Sequence, residues 1–163
     1  MKRWILLVCL MGLLCGCAAV PAFETVDDFY EQGDLEEPAS VTYSIPQGEK
    51  TQVIRSDSGC IYLCDGYEVA VETLPGGDLK RTMEILTGFG EEALAVMQTG
   101  TNQLPRYECA WTSAGEGAQQ VGRTVVLDDG NFHYCLTLTA LQDEAGALQA
   151  VWQEITQSFG LEN

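Results

Sequence analysis

Four cysteines and one histidine carry most of the chemical potential of this chain: Cys60, Cys64, Cys109, Cys135 and His133. A thiolate beside an imidazole is a nucleophile, and a Cys/His cluster holds zinc when its ligands come in close pairs. The spacing here supports neither. Cys60 and Cys64 stand four residues apart in a strand-like segment, which separates them by about 13 Å. At that distance they share neither one ion nor one disulfide. His133 and Cys135 share a strand face, roughly 7 Å apart, with no nucleophile signature around them. No catalytic residue, metal ligand or cofactor is assigned. The four cysteines remain disulfide candidates with three complete pairings, or buried thiols.

Other tempting groups read as structure. Asp128, Asp129 and Asn131 lack the spacing and final Glu of a calcium loop, so they read as a turn around Gly130. Glu68 and Glu72 share a strand face about 13 Å apart, too far for a paired-carboxylate glycosidase. Gly88 and Gly90 lack the fingerprint of a phosphate cradle. The candidate binding residues are aromatic, Tyr62, Tyr67, Tyr107 and Trp111, together with His133. Gathered in solvent they would line a ligand groove; beneath a helix they would be core.

The elements that must position these residues follow from periodicity. Val41–Ile45 alternates as a strand and turns at Pro46-Gln47-Gly48; Thr51–Arg55 makes a second strand. Cys60–Cys64 and Tyr67–Thr73 flank Asp65-Gly66, which predicts a type I′ hairpin with Cys60 opposite Val71 and Tyr62 opposite Val69. Asp78 caps a helix carrying Leu79, Met83 and Leu86. Glu91–Gln98 reads either as a second short helix or as a loop segment. Strands follow at 106–112, 121–127 and 132–138, with turns at Gly115-Glu116-Gly117 and Asp128-Asp129-Gly130-Asn131. On the last strand Phe132, Tyr134, Leu136 and Leu138 face one way, and His133, Cys135, Thr137 and Thr139 the other. That pattern suits a sheet covered mainly on one side. Leu148, Val151, Trp152, Ile155 and Phe159 make the clearest helix, with Gly160 placed to cap it.

Strands, helix, strands and terminal helix give an α+β domain with an antiparallel sheet of about five to seven strands packed against helices. The opening Tyr43-Ser44-Ile45-Pro46-Gln47-Gly48 and the closing Ile155-Thr156-Gln157-Ser158-Phe159 resemble those of the Mog1/PsbP-like fold group. The likeness spans roughly residues 41–160, although Lys50-Thr51-Gln52 stands where that group often has a tryptophan. It implies a fold and no single chemistry. Trp111, Glu116, Val121, Asp128-Asp129-Gly130-Asn131 and His133-Tyr134-Cys135 also resemble the texture of uncharacterised lipoproteins of Gram-positive gut bacteria.

The amino end supplies an address. Lys2 and Arg3 precede an apolar run from Trp4 to Leu14, followed by Leu14-Cys15-Gly16-Cys17. The run is shorter than the about 20 residues of a membrane span and has the form of an export signal. Its end resembles a lipobox, which implies cleavage before Cys17 and lipid attachment there; the alternative is an ordinary secretory signal cut near Ala18-Ala19, releasing a soluble protein. The expected division is a signal peptide at 1–16, a lipidated acidic tether at 17–40 and one domain at 41–163. Seven carboxylates between Glu24 and Glu37 face no Lys or Arg in the tether, so self-repulsion extends it. Cleavage leaves six basic residues against 24 acidic ones, moving the net charge from −16 to −18. Such a surface excludes nucleic acid as a partner and leaves membrane attachment to the lipid.

The expected localisation is the extracytoplasmic face of a bacterial membrane. The expected role is a surface-anchored, non-catalytic binding or accessory domain, with a cell-envelope protein or a small ligand as its partner. The alternative is an extracytoplasmic hydrolase whose site residues lie far apart in sequence.

Overall fold

The computed structural model describes residues 37–46, 50–113 and 118–162. The leader, Cys17, the tether as far as Glu36, Gln47 and Gly48 of the first turn, and the Gly115-Glu116-Gly117 turn lie outside the described residues. Strand β1 (Val41–Thr42) pairs with the last strand, Gly160–Leu161. The main sheet holds β2 (Lys50–Arg55), β3 (Gly59–Cys64), β4 (Tyr67–Pro75), β5 (Met97–Gly100), β6 (Pro105–Thr112), β7 (Gln120–Asp128) and β8 (Phe132–Leu141). Its seven strands are antiparallel, in the order β2-β3-β4-β8-β7-β6-β5. Helix α1 (Leu79–Thr87) and helix α2 (Ala145–Ser158) complete the α+β fold, and Gly160–Leu161 is β9.

The central position of β8 follows from its composition. It carries no charged side chain, and His133–Leu138 are all buried. Each of the two helices covers one face of the sheet. On the α2 face Val69, Val71, Val125, Leu127, Tyr134, Leu136 and Leu138 pack with Trp152, Ile155 and Phe159. Burying each of those last three side chains contributes about 1.5–3 kcal/mol. On the α1 face Met83 packs with Cys109, Val126 and Cys135. The expectation of one mainly covered face is therefore corrected: α1 seals the mixed face of β8, which is why it carries small polar and thiol groups rather than charges. Coverage stops short of the β2–β3 margin, where Ile54 and its partner Ile61 are exposed.

Helix α1 begins where expected, with the Asp78 carboxylate accepting from the Lys80 N–H. It ends at Gly88, whose φ of 76° is left-handed and suits a residue without a β-carbon. Three local expectations fail, and the alternative left open at Glu91–Gln98 is decided. Asp65-Gly66 is not a type I′ turn: Gly66 has φ 80°, but no described non-glycine residue has positive φ, and type I′ requires it at both positions. The register is nonetheless the expected one, with Cys60 opposite Val71 and Tyr62 opposite Val69. Glu91–Gln98 forms no second α-helix. A single tight turn, Glu91–Ala93, leads into β5, whose backbone bonds are met by β6. The strand expected over Val41–Ile45 stops at Thr42. Gly160 does not cap α2; Phe159 leaves the helix extended (φ −77°, ψ 121°) and Gly160 runs on into β9 opposite Thr42.

The carbonyls at that end of α2 are met by a side chain from another strand. Arg106 of β6 donates to the Thr156 carbonyl at 2.6 Å and the Phe159 carbonyl at 3.1 Å, and its Nε to Glu108 at 2.7 Å. A cation there complements the negative end of the helix dipole.

Candidate functional site

The cysteines do not assemble. Cys60 and Cys64 pack against the α2-side core, and Cys109 and Cys135 belong to the α1-side core. All four carry thiols. The sheet stands between the two pairs and bars any bond across it. Cys60 and Cys64 are separated along β3. Cys109 lies opposite Thr124, which lies opposite Thr137, two residues beyond Cys135. Two strand spacings and two residues of rise place that last pair roughly 12 Å apart. Of the two readings of Cys60, Cys64, Cys109 and Cys135, the placement within the domain fits thiols, with no two of them set for an intramolecular bridge. Burial pushes the Cys109 thiol up, and burial with the Glu72 charge pushes Cys135 up to about 12. Both are poor nucleophiles, because attack requires the thiolate.

His133 is fully buried beneath α1. Its Nδ1 bonds to Thr82 Oγ1 at 2.8 Å, and its Nε2 lies 3.8 Å from Asp128 Oδ2 without a hydrogen-bond partner. The neighbouring Cys135 thiol bonds to the His133 carbonyl. The imidazole thus locks β8 to α1 and presents no surface to a ligand.

The aromatic candidates are divided by the same sheet. Tyr62 and Tyr67 are buried on the α2 face, while Tyr107 and Trp111 are half-buried on the α1 face. They form no common groove. The Tyr62 and Tyr43 hydroxyls are bonded and their rings meet edge-on. Burial and the Cys60 and Tyr62 contacts push Tyr43 far above the usual phenol value. Trp111 lies over Gly122, where any β-carbon would overlap the indole. Its Nε1 donates to Thr124 Oγ1 at 3.1 Å, and Phe89 packs against it at 6.0 Å.

The bend at Asp128-Asp129-Gly130-Asn131 forms as expected, because Asp129 accepts from the Asn131 and Phe132 N–H groups. Tyr134 donates to Asp129 at 2.6 Å and accepts from the Ala39 N–H at 2.9 Å. Desolvation raises the Asp129 carboxyl, but the Tyr134 hydroxyl and the backbone N–H groups outweigh it and hold it below its ordinary value.

One site arises that the sequence did not suggest. Strand β5 pairs only with Pro105–Glu108, so no strand among the described residues covers the outer edge of Ala110–Thr112. A groove of about 620 Å³ lies there, lined by Trp111 and Thr112 of β6, Arg123 of β7, and Gly146, Gln149 and Trp152 of α2. Arg123 sits on the α2 face with Val121 and Val125 and has no ion-pair or hydrogen-bond partner among the described residues. No carboxylate of the described residues lines this groove. Two other grooves do carry them, one at Glu68 and Glu144 and one where Arg55 adjoins Asp57. The available signal was an arginine in register with core valines in a chain poor in cations.

No protein-family model and no curated protein sequence matches the chain. Among solved structures, LpqN of Mycobacterium tuberculosis, described as involved in cell envelope biogenesis, is similar over 78% of this chain and 87% of that chain, with 14% identity and a TM-score of 0.47. A likeness that weak assigns nothing to this chain. Among the described residues no helix is long and apolar enough to cross a membrane.

Proposed function

We propose that this chain is an exported bacterial lipoprotein, cleaved before Cys17 and held by acyl chains on that cysteine at the extracytoplasmic face of the membrane. Residues 1–16 are its signal peptide, 17–40 its tether and 41–163 a non-catalytic domain that binds a ligand or envelope protein. The observation that carries the address is the basic start, the short apolar run and Leu14-Cys15-Gly16-Cys17. The open groove beside β6 supports the binding role, as does the sealing of His133 and Cys135 beneath α1. The last tether residues are tied to the domain, Ala39 through Tyr134 and Ser40 through the Glu162 N–H.

The finer fold reading is Mog1/PsbP-like. Its support is that the two motifs behind it meet: the Ser44 N–H of the opening segment donates to Ser158 Oγ of the closing helix at 2.8 Å.

The test is intact mass of the membrane-extracted protein, followed by pull-down in mild detergent. The reading expects residues 17–163 plus a diacylglyceryl group, and reproducible recovery of one partner or ligand. A cytosolic product that retains Met1–Gly16 refutes the address. Repeated recovery of nothing refutes the binding role.

A further inference from the structure

We infer that the outer edge of β2 receives an extended, acidic peptide segment of a partner protein, added to the sheet as a further strand. The inference rests on the binding role proposed above and names the partner's chemistry. Strand β2 pairs with β3 on one side, and no strand among the described residues pairs with the other. The Ser56 N–H donates to the Gly59 carbonyl at 2.9 Å, closing the β2–β3 turn with a bonded pair. Bonded and non-bonded pairs alternate along an antiparallel ladder. Ile54 opposite Ile61 and Gln52 opposite Leu63 are therefore bonded pairs, and Val53 and Arg55 turn both their N–H and their C=O groups outward. A register shift between Lys50 and Gln52 limits the regular edge to Gln52–Arg55. No proline interrupts it. Its β-branched side chains are uncovered on both faces of the sheet: Val53 is 39% exposed on one, and Ile54 47% on the other beside Ile61 at 37%.

The charge of the edge names the partner. Strand β2 carries Lys50 and Arg55 and no carboxylate, and no other strand of the main sheet holds cations without an acid. Glu49 precedes it and Asp57 follows it, but neither lies within it. Arg55 is exposed and makes no ion pair among the described residues. In a chain of net charge −16 this is a local reversal of sign. Salt screens charges beyond about 8 Å, so the cations of the strand outweigh distant acids. Such cations guard an edge against a second copy of itself and pair with an acid placed directly opposite. Strand β5, at the other margin of the sheet, has four residues and no charge, so it selects no such partner. In strand addition the backbone bonds give affinity and alternate side chains give specificity. Here those side chains are an acid opposite Arg55 and a β-branched residue opposite Ile54.

The test titrates the full chain in mild detergent with the capped peptide acetyl-Glu-Val-Thr-Val-Glu-amide and with its counterpart carrying lysine for glutamate. Binding is followed by two-dimensional NMR at the Val53 and Arg55 amides. The acidic peptide should shift both signals saturably, and the lysine peptide should not. N-methylation of the acidic peptide at its central threonine should abolish the shift, whereas N-methylation at its valines should leave it, because only alternate N–H groups face β2. Arg55→Gln should weaken the acidic peptide about two- to fivefold, the worth of one exposed charge pair. Val53→Pro removes an outward N–H, which an edge strand tolerates, and should abolish binding read at the Arg55 amide. Arg123→Gln, which lies in β7, should leave binding unchanged. Equal binding of the two charge forms, equal effects of the two methylation patterns, unchanged binding by a folded Val53→Pro variant, or no saturable shift at millimolar peptide overturns the inference. Self-association that Val53→Pro abolishes and the peptide does not compete with assigns the edge to a second copy and overturns it as well. Partner recovery in pull-down that persists in Val53→Pro sinks this edge and leaves the broader binding role standing.

Discussion

Arg106 is the residue whose removal discriminates most sharply. Arg106→Met keeps the aliphatic stem and its packing while deleting both bonds to the last carbonyls of α2. Hydrogen bonds to a charged donor contribute about 1.5–3 kcal/mol each, and the loss of helix-dipole complementarity adds about 0.3–1 kcal/mol. The Arg106 side chain is 19% exposed, so water recovers part of that loss. The expected destabilisation is about 3 kcal/mol, at the lower end of the bonded contribution. For a domain of this size that is a fall in Tm of roughly 10 °C. Glu108→Gln leaves an acceptor for Nε and should cost less than about 1 kcal/mol. Urea unfolding followed by far-UV circular dichroism measures both, and amide exchange at Gly160 and Leu161 should accelerate in Arg106→Met. An Arg106→Met variant within about 0.5 kcal/mol of wild type would show that solvent satisfies those carbonyls and that the capping reasoning is wrong.

Three further outcomes are expected. Gly122→Ala drives a methyl into the Trp111 ring and should cost about 1–3 kcal/mol by overpacking, read as a shifted Trp111 emission and a lower urea midpoint; an unchanged midpoint would contradict the contact. Ile155 is fully buried, so Ile155→Ala should cost about 2–5 kcal/mol and Ile155→Asp should abolish the cooperative transition; wild-type melting of either variant would misplace α2. The folded-state value of Cys135 is raised above its ordinary 9.0 to about 12, so its contribution is complete below pH 9 and is lost as pH rises toward 12. Cys135→Val should therefore flatten the alkaline loss of stability over that window, and a superimposable stability–pH profile would deny that the thiol is responsible.

The elements whose signals are local were legible in the chain. Alternation located β6, β7 and β8, the Asp78 and Gly88 signals bounded α1, and the 3.6-residue stripe from Leu148 to Phe159 located α2. Turn details were less secure, because short-range preferences compete with what the flanking strands require. Asp65 keeps negative φ, and Glu91–Gln98 yields to ladder pairing between β5 and β6. The candidate site was the least legible. Period-two alternation says which residues of one strand share a face, but not which faces of different strands coincide. Tyr62 and Tyr67 therefore separate from Tyr107 and Trp111, and Cys60 and Cys64 from Cys109 and Cys135.

The sequence by itself determined the composition of the chain, its acidic balance, the pattern of its leader and the identity of most strands and helices, because these depend on neighbours along the backbone. Only the tertiary structure decided that both sheet faces are covered, that His133 is sealed, that Arg106 ends α2 and that Arg123 has no counterion among the described residues. Those features require residues tens of positions apart to meet. The meeting is set by strand order and by which helix covers which face, and no periodicity within a single segment encodes either.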